Sequence, residues 1–330
     1  MTPFFDIIVP VYNQVGKMDK CIDSLKKQTF SDFRAIFVND GSKDESLKML
    51  EGYAKDDPRF IVTGYDINGS LVKARFTGMK EVTGEYVLFL DSDDYLSEDA
   101  LLKIKGFVDK DPVDYLSFDF ISEPEGIKGH VVRTEDVYSD ILSDRIKPAI
   151  WKCAYSKRLI EEALKRISPF YCNMGEDSYF STVFTTCAKT FGTLDEILYH
   201  YELGTGMSGV CSGVSKDKLK RDMDSLSEAA EHILSYLKEY APKYLEPAKK
   251  HIDVMLTYEC LTAIYYDDDM TRVIDNILCL KELGFDKYFG YAATRILPEK
   301  IGREMLKVKE NTRAGAEFLE LLNGIKTYEG

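Results

Sequence analysis

Two patterns of apolar residues alternate along the first 120 positions of the chain. Four short segments are apolar almost without interruption, which is typical of strands buried on both faces of a sheet. Those segments are 5–11, 34–38, 60–63 and 86–90. Between them, apolar residues recur at three- and four-residue intervals, which predicts amphipathic helices. Repeated β-α-β units of this kind predict an α/β fold with a mostly parallel sheet flanked by helices.

The pattern is less regular after residue 114 and almost purely helical after residue 215. In the irregular part we expect a strand, a glycine-containing turn and two helices, at 115–120, 125–130, 156–166 and 176–187. We therefore predict two domains. The first comprises residues 1–214, and the second is a helical C-terminal region at 215–330.

Composition narrows the class of protein. The 330 residues are 45% hydrophobic and 30% charged, which supplies enough apolar surface for a core and excludes a mainly disordered chain. The formal net charge of −13 disfavours a nucleic-acid-binding protein, so we predict no nucleic-acid partner. Seven cysteines without a CxxC pair are typical of reduced thiols. With no evident signal peptide and no apolar run of about 18 residues, these features predict a cytoplasmic protein.

Polar clusters follow three of the predicted strands, at the edge where parallel sheets bind their ligands. They are Pro10-Val11-Tyr12-Asn13 after the first strand, Asn39-Asp40-Gly41-Ser42 after the second and Asp91-Ser92-Asp93-Asp94 after the fourth. Because the carboxyl ends of parallel strands meet at one edge, we expect these clusters to converge. No glycine-rich phosphate loop follows the first strand, so a dinucleotide-binding fold is disfavoured.

Asp91 and Asp93 stand two residues apart, a spacing that suits a divalent cation beside a diphosphate. We expect Mn²⁺ or Mg²⁺ here, with His200 as a candidate third ligand. Purely structural interpretations of the candidate residues also stay open. Asp40 and Asp91 can serve only as turn formers at strand ends, Asp94 is expected to be a bystander, and His200 can be an ordinary half-buried histidine.

Five stretches, taken in order, resemble the family 2 glycosyltransferases, which have the GT-A (Rossmann-like) fold. They are IIVPVYN at 7–13, VNDGSKDES at 38–46, the segment around Arg75, GEYVLFLDSDD at 84–94 and GEDSYF at 175–180. An Asp-x-Asp motif alone is a weak signal, since any acidic loop can produce one, whereas the ordered set is specific. The resemblance covers residues 5–205 and implies a GT-A catalytic domain within 1–214.

The resemblance implies a role for each matching residue. The nucleotide would be held by a set made of Pro10, Val11, Tyr12, Asn13, Asp40, Gly41, Arg75, Asp91 and Ser92, with Asp91 at the ribose. Asp93 would bind the metal that bridges the diphosphate, and Asp177 would act as general base on the acceptor hydroxyl. Ser70 and Phe76 depart from the family pattern, which often has glycine and asparagine at these positions.

The implied activity is transfer of a sugar, with inversion, from a nucleotide diphosphate donor to an acceptor hydroxyl in surface polysaccharide or glycoconjugate synthesis. Family frequency favours a UDP-sugar as donor and a glycan or a lipid-linked molecule as acceptor. A non-catalytic sugar-nucleotide-binding or scaffold protein with a degenerate transferase domain is the alternative. A sugar-1-phosphate nucleotidyltransferase and a haloacid-dehalogenase-type phosphatase are disfavoured, since their motifs follow the first strand of the domain.

Four features have two interpretations each. Glu176 and Asp177 can simply be acids of a helix's first turn. Trp151 either packs in the core or stacks on an acceptor sugar, and residues 204–209 form either a loop that closes over nucleotide or a plain turn. Residues 295–313 hold six basic and three acidic side chains, which predicts at most weak contact with the inner face of a membrane, while the C-terminal helices otherwise shape the acceptor site.

Overall fold

The computed structural model describes residues 2–130, 134, 136–204, 214–265 and 270–285. Most of the predicted loop at 204–209 and all of the basic segment 295–313 lie outside the described residues.

Strands and helices alternate through the first half of the chain, as the apolar pattern predicts. The strands are β1 (Phe5–Val11), β2 (Phe33–Asp40), β3 (Phe60–Tyr65), β4 (Tyr86–Phe89) and β5 (Tyr95–Leu96). The helices are α1 (Asp19–Lys26), α2 (Ser46–Asp56), α3 (Ser70–Lys80) and α4 (Ala100–Val108). Strand β1 is buried along its whole length, which explains its continuous apolar sequence.

The less regular part of the chain adds four strands and three helices to the described structure. The strands are β6 (Tyr115–Glu123), β7 (Ile127–Gly129), β8 (Cys153–Ser156) and β9 (Phe191–Glu202), and the helices are α5 (Val137–Leu142), α6 (Lys157–Leu164) and α7 (Glu176–Cys187). Helix α7 has the bounds expected from the sequence. The prediction of a turn throughout 125–130 was wrong, because 127–129 pair antiparallel with β6 as the second strand of a hairpin.

The described strands form one sheet in the order β3-β2-β1-β4-β8-β6-β9-β5, with β7 paired to β6. The first four strands are parallel, in the register Ile7↔Ala35 and Ile7↔Leu88. Strand β8 then joins β4 antiparallel, and β6 lies between β8 and β9. The predicted class, an α/β fold with a sheet flanked by helices and a helical C-terminal region, is confirmed. The parallel half brings the ends of β1, β2 and β4 to one edge.

Aromatic packing fixes helix α7 against the sheet. The Phe184 ring lies 5.8 Å from Phe89 of β4 and 4.6 Å from Tyr155 of β8, and Phe180 lies 6.4 Å from Phe89. Full burial of one phenylalanine contributes about 1.5–3 kcal/mol to the free energy of unfolding. Because this face of α7 is held under β4, its first turn lies near the segment that follows β4.

The chain divides into two compact units. One contains Met1–Gly206 and Glu228–Leu245, and the other contains Met207–Ser227 and Glu246–Gly330. The later helices are α8 (Lys216–Tyr240), α9 (Leu245–Tyr265) and α10 (Met270–Glu282), with a 3-10 turn at Pro242–Tyr244. No helix among the described residues is both long and apolar enough to cross a membrane. The domain boundary at residue 214 stays a prediction.

Within the second unit, the first turns of α8 are tied to α10. Lys216 Nζ lies 3.0 Å from Glu282 Oε2, and Asn276 Nδ2 donates a hydrogen bond of 3.0 Å to the Val214 carbonyl. All three helices have buried apolar side chains, among them Leu219, Met223, Leu256, Val273 and Leu280. The helical periodicity seen in the sequence thus corresponds to a packed helical core.

Candidate active site

Arg75 on helix α3 is the centre of a cluster of charged side chains. Its Nη1 lies 2.9 Å from Asp177 Oδ1 and 3.4 Å from Glu176 Oε1, and its Nη2 lies 3.0 Å from Asp91 Oδ1. The arginine is only 1% exposed, and its Nε has no hydrogen-bond partner among the described residues. A single guanidinium therefore joins the segment after β4 to the first turn of α7.

One cation beside three carboxylates leaves an excess of negative charge in a poorly solvated place. Burial, together with repulsion from Asp177, raises the pKa of Glu176 to about 8. Burial also raises the pKa of Asp177 to about 6, although Arg75 acts in the opposite direction. A carboxyl group that titrates near neutrality is suited to accept a proton from a substrate and release it again.

Helix α7 presents Glu176 and Asp177 because the chain turns sharply just before it. Gly175, the residue preceding the helix, has φ 89°, a left-handed conformation that glycine adopts without a steric penalty. Both acids lie in the first turn, where the helix dipole favours negative charge. The interpretation of these residues as first-turn acids is therefore correct for their position. Their contact with Arg75 is an additional property.

The four residues of the Asp91–Asp94 segment have different surroundings. Asp91 is in contact with Arg75 and is partly exposed, Asp93 is half-buried and Ser92 is buried. Asp94 is 1% exposed and accepts hydrogen bonds from the Tyr199 hydroxyl (2.6 Å) and the Glu202 N–H (2.8 Å). Burial raises the pKa of Asp94 to about 8. Asp94 thus anchors the segment to β9, a structural role that the sequence did not indicate.

Tyr199 is a residue of the site that sequence reasoning missed. Besides donating to Asp94, its hydroxyl accepts a hydrogen bond of 3.3 Å from the Asp91 N–H. Its ring lies 4.6 Å from Trp151, which also stacks on Tyr201 at 5.5 Å. The apolar and aromatic residues around Tyr199 were a signal for strand β9, but nothing in the sequence paired that strand with the Asp91–Asp94 segment.

The loops after β1 and β2 are bound to each other. The Asn13 N–H donates to Ser42 Oγ (3.2 Å), and Asn13 Oδ1 accepts from the Lys43 N–H (2.8 Å). Of the first predicted cluster, Pro10 and Val11 are buried in the strand, whereas the side chains of Tyr12 and Asn13 are exposed. A ligand at this edge would therefore meet Tyr12 and Asn13 through their side chains.

Asp40 holds the loop that precedes α3. Its Oδ1 accepts a hydrogen bond of 2.7 Å from the Gly69 N–H, and its Oδ2 accepts one of 2.8 Å from Asn68 Nδ2. The carboxylate is buried, and burial together with this carboxylate raises the pKa of the Tyr65 hydroxyl beside it. Gly41 beside Asp40 has φ 70°, and a Cβ there would lie 2.5 Å from the Asn68 nitrogen. Only glycine fits this close approach of two backbone segments.

Ser70, one of the two departures from the family pattern, connects this loop to the chain before α7. It is fully buried and has φ 83°, which is unusual for a residue with a side chain. Its Oγ donates to the Phe170 carbonyl (3.2 Å) and accepts from the Cys172 N–H (2.9 Å). Asn173 Oδ1 accepts a further bond of 3.0 Å from the Leu71 N–H.

His200 lies at the edge between β9 and β5. Its ring stacks on Tyr95 at 4.4 Å, its Nε2 is 3.1 Å from Ser97 Oγ, and its Nδ1 is 3.5 Å from Glu123 Oε1. Across the described part of the chain, no group of three or more His, Cys, Asp or Glu side chains is arranged to hold a metal ion. The role of His200 as a third ligand stays a prediction.

The donor set at Asp91 and Asp93 nevertheless fits a hard cation. Magnesium is commonly held by one or two carboxylates, with water and substrate phosphates completing its shell, so a dedicated cage of protein ligands is not required. Two carboxylates on a short segment at the edge of the sheet meet that requirement. Asp91 also contacts Arg75, so a cation there would compete with the guanidinium for its oxygens.

Comparison with known proteins identifies a sequence family. The sequence model of the family described as "Glycosyl transferase family 2" matches residues 6–172. The chain is 33% identical over 213 residues to the uncharacterized glycosyltransferase EpsJ of Bacillus subtilis, a match that covers 61% of each chain. It is 31% identical over 207 residues to the minor teichoic acid biosynthesis protein GgaB of the same organism, covering 60% of this chain and 23% of GgaB. The chain thus matches at most 61% of the length of either relative.

Two solved structures have a similar fold. Staphylococcus aureus TarS 1-349 in complex with UDP-GlcNAc gives a TM-score of 0.58 at 22% identity, covering 87% of this chain and 81% of that one. The mannosyltransferase PcManGT from Pyrobaculum calidifontis, in complex with GDP-Man and Mn²⁺, gives 0.52 at 15% identity, covering 98% and 85%. At these identities the likeness concerns the fold alone.

Proposed function

The chain belongs to glycosyl transferase family 2, and from this premise we propose that it transfers a sugar from a nucleotide diphosphate donor to an acceptor hydroxyl. The observation that carries the proposal is the Arg75 cluster. It joins Asp91, the first acid of the Asp-x-Asp motif, to Asp177, the candidate base, in one group of contacts. A donor site at Asp91 and a proton acceptor at Asp177 would then be neighbours, which is what transfer between two substrates requires.

The donor we propose is a UDP-sugar that lies along the edge formed by the ends of β1, β2 and β4. The base would lie near Tyr12, Asn13 and Asp40, and the ribose near Asp91. Exposed side chains at Tyr12 and Asn13 support this placement, and Asp40 would act by holding the loop that precedes α3. The TarS and PcManGT structures contain UDP-GlcNAc and GDP-Man, which supports a sugar nucleotide as the class of donor.

The metal we propose is Mn²⁺ or Mg²⁺, held by Asp93 and Asp91. When bound, such an ion neutralises negative charge on a leaving diphosphate. The Mn²⁺ in the PcManGT structure supports a divalent ion in this fold. Arg75 would keep Asp91 oriented through its Nη2 contact of 3.0 Å.

Asp177 is the general base in this proposal. As the acceptor oxygen forms its bond to the anomeric carbon and the bond from that carbon to the diphosphate breaks, the hydroxyl proton passes to Asp177. One displacement of this kind inverts the anomeric centre. The raised pKa of Asp177, about 6, suits a group that must be ionised to accept the proton and yet be basic enough to hold it.

The biological setting we propose is synthesis of a surface polysaccharide or glycoconjugate, at the cytoplasmic face of a membrane when the acceptor is lipid-linked. Relatives named for teichoic acid synthesis and for poly(ribitol-phosphate) glucosyl transfer support this setting. The acceptor would be a glycan or a lipid-linked molecule.

The test is a donor screen in which release of the nucleotide is measured without acceptor. Sugar nucleotides carrying UDP, GDP or dTDP are incubated with Mn²⁺, with Mg²⁺ or with EDTA. We expect slow release of UDP from one UDP-sugar in the presence of metal and none in EDTA. Asp93→Ala should abolish the dependence on metal, whereas Asp99→Ala, an exposed acid on the adjoining segment, should preserve it. Binding of a UDP-sugar without release under any condition, acceptor extracts included, would favour the non-catalytic alternative.

A further inference from the structure

A cavity lies near the candidate active site. Its volume is about 400 Å³, and it is enclosed by β6, the end of the β6–β7 hairpin, the start of β9 and the segment before β8. Its lining includes Phe120, His130, Arg145, Lys147, Trp151 and Lys152. All of them belong to the same compact unit as the Arg75 cluster.

The position of the cavity follows from the register of β4 and β8. These strands are antiparallel, with Leu88 opposite Ala154, so the residues just before β8 lie beside the end of β4, where Asp91 follows. Those residues are Trp151 and Lys152. The Trp151 ring also lies 4.6 Å from Tyr199, which is bonded to Asp91 and Asp94. The charge of Lys152 acts on Asp177 and lowers the pKa of that carboxyl. Lys152 of the cavity therefore lies close enough to the candidate base for their charges to interact.

Lys152 is in an unusual environment for an ammonium group. It is 9% exposed, and within the described structure it forms no ion pair with a carboxylate. Its Nζ lies 5.8 Å from the centre of the Phe120 ring, and burial lowers its pKa. A buried charge is costly unless an opposite charge or hydrogen bonds compensate for it. An anion in the cavity would provide that compensation.

Three further basic side chains line the cavity. Arg145 and Lys147 line the cavity, each with a carboxylate of its own, Asp140 at 2.6 Å and Asp144 at 3.9 Å. His130 is bonded to Asp119 at 3.0 Å. No acidic residue is among the described side chains that line the cavity itself. Among these described side chains, Lys152 is therefore the one basic group without a carboxylate partner in an ion pair, although Asp177 and Asp119 lie near enough to act on its charge.

Aromatic and hydroxyl groups complete the lining. Trp151 and Phe120 meet edge to face at 4.9 Å and provide an apolar wall, and Ser117, Thr134 and Thr193 supply hydroxyls. An apolar wall with convergent polar groups is typical of a site for a sugar or polyol. Trp151 thus packs against aromatic residues and also lines a cavity, while its stacking on an acceptor sugar stays a prediction.

We propose that this cavity binds an oxyanion of the acceptor, a phosphate or a carboxylate, carried beside the hydroxyl that faces Asp177. This inference rests on the proposed transferase function, since it specifies the acceptor. Lys152 supplies the buried charge for the oxyanion, Arg145 and Lys147 lie in the same lining, and Trp151 contacts the carbon skeleton.

The test uses Trp151 as a reporter, because it is the only tryptophan of the chain. Its fluorescence is followed in the full chain during titration with sn-glycerol 3-phosphate, D-glucuronate, glycerol and glucose, at constant ionic strength. We expect a saturable change with at least one of the two anions and none with the neutral compounds. The anion that binds more tightly shows whether the oxyanion of the acceptor is a phosphate or a carboxylate.

Variants locate the binding at Lys152. Lys152→Met should weaken the apparent affinity for the anion about tenfold or more, because a charge-assisted hydrogen bond is lost. Lys152→Arg should restore most of it, and Arg145→Gln, at an exposed side chain, should weaken it by a smaller factor. Lys48→Met removes an exposed lysine of α2 and should behave as wild type. Melting curves show whether each variant is folded. If Lys152→Met does not fold, the affinity of Arg145→Gln for the anion is the test.

Three outcomes would overturn the inference. They are a wild-type chain that responds to neither anion, one that responds equally to the neutral compounds, and a folded Lys152→Met variant with unchanged affinity. Binding of UDP-sugars to the wild type, measured by calorimetry, is a separate readout. Anion binding without UDP-sugar binding would refute the proposed function and its acceptor. UDP-sugar binding without anion binding would refute only the proposal that the cavity binds an oxyanion.

Discussion

Arg75 and Asp177 are joined by a hydrogen bond of 2.9 Å between Nη1 and Oδ1, across 102 positions of sequence. This bond is long-range in the chain and lies at the centre of the site. It holds the carboxylate that we propose as general base in one orientation. The same buried guanidinium also contacts Asp91. The orientation of Asp177 and the position of the Asp-x-Asp segment therefore depend on the same side chain, Arg75.

Replacement of Asp177 by asparagine separates a catalytic from a structural role. We expect turnover to fall by about 10²–10⁴-fold with donor affinity near wild type, because an amide cannot accept the proton. The stability cost should be about 1 kcal/mol, as for a first-turn acid. Steady-state kinetics and a melting curve check both. Glu176→Gln is the matched control, since Glu176 lies farther from Arg75 at 3.4 Å and should retain more activity. Near-normal turnover of Asp177→Asn would refute the assignment.

Removal of the Tyr199 hydroxyl tests whether Asp94 anchors the Asp91–Asp94 segment to β9. Tyr199→Phe removes the donor to Asp94 and the acceptor for the Asp91 N–H, so we expect a loss of about 1–3 kcal/mol in the free energy of unfolding. Denaturant unfolding measures it. Tyr12→Phe, at an exposed position, should leave stability within about 0.5 kcal/mol of wild type. Equal stability of the two variants would show that the bond to Asp94 contributes nothing.

Alanine at Gly41 and at Gly52 should have opposite effects on stability. At Gly41, φ 70° and a Cβ only 2.5 Å from the Asn68 nitrogen predict destabilisation by more than about 1 kcal/mol. At Gly52, inside α2, nothing lies within 4 Å of the new Cβ, so alanine should stabilise by about 0.5–1 kcal/mol. The pair of melting curves checks both signs. A neutral Gly41→Ala would mean that the Asp66–Asn68 loop can move away at no cost.

The ion pair of Asp114 with Arg158 should make the free energy of unfolding depend on pH in the acid range. Burial alone would raise the pKa of Asp114, but hydrogen bonds from Arg158, the Lys189 N–H and Ser156 outweigh it and hold the pKa at about 2. An unfolded aspartate titrates near 3.9, so this stabilisation, about 1–3 kcal/mol, is complete above that pH and is lost as the pH falls towards 2.

Melting temperatures between pH 6 and pH 2 check this dependence. We expect the wild type to exceed Asp114→Asn in melting temperature by a constant amount above about pH 5, and the difference to shrink below about pH 4. Asp99→Asn, at an exposed position, serves as the control with little difference at any pH. A difference that stays constant down to pH 2 would show that the charge of Asp114 does not contribute.

The elements and motifs that depend on local sequence were predictable. Strand β1 and helix α7 were found with the expected bounds, because a buried run and a helical period are local properties. The family was identified from five short motifs, and its GT-A fold agrees with the structural neighbours. The site residues named from these motifs do converge around Arg75 in part, with Asp91 and Asp177 in direct contact.

What the sequence could not supply is pairing between distant segments. Strand β8 has four residues and is identified only by its partners β4 and β6. The link from Tyr199 to Asp94 spans 105 positions, and the burial of Lys152 depends on how the segment before β8 closes a cavity. Long-range contacts of this kind leave no periodic or compositional trace, since either partner alone is an ordinary residue.

The bonds of Ser70 to Phe170 and Cys172 have a consequence for how such a chain can diversify. They fix two points of the backbone about a hundred positions apart, one at the start of α3, beside the loop that Asp40 holds, and the other just before the candidate base. The β6–β7 hairpin and the Trp151 segment lie between these points. Exchange of their side chains would leave the fixed points in place, so in the transferase that we propose the preference for acceptor would change by recombination or by design without loss of the donor site.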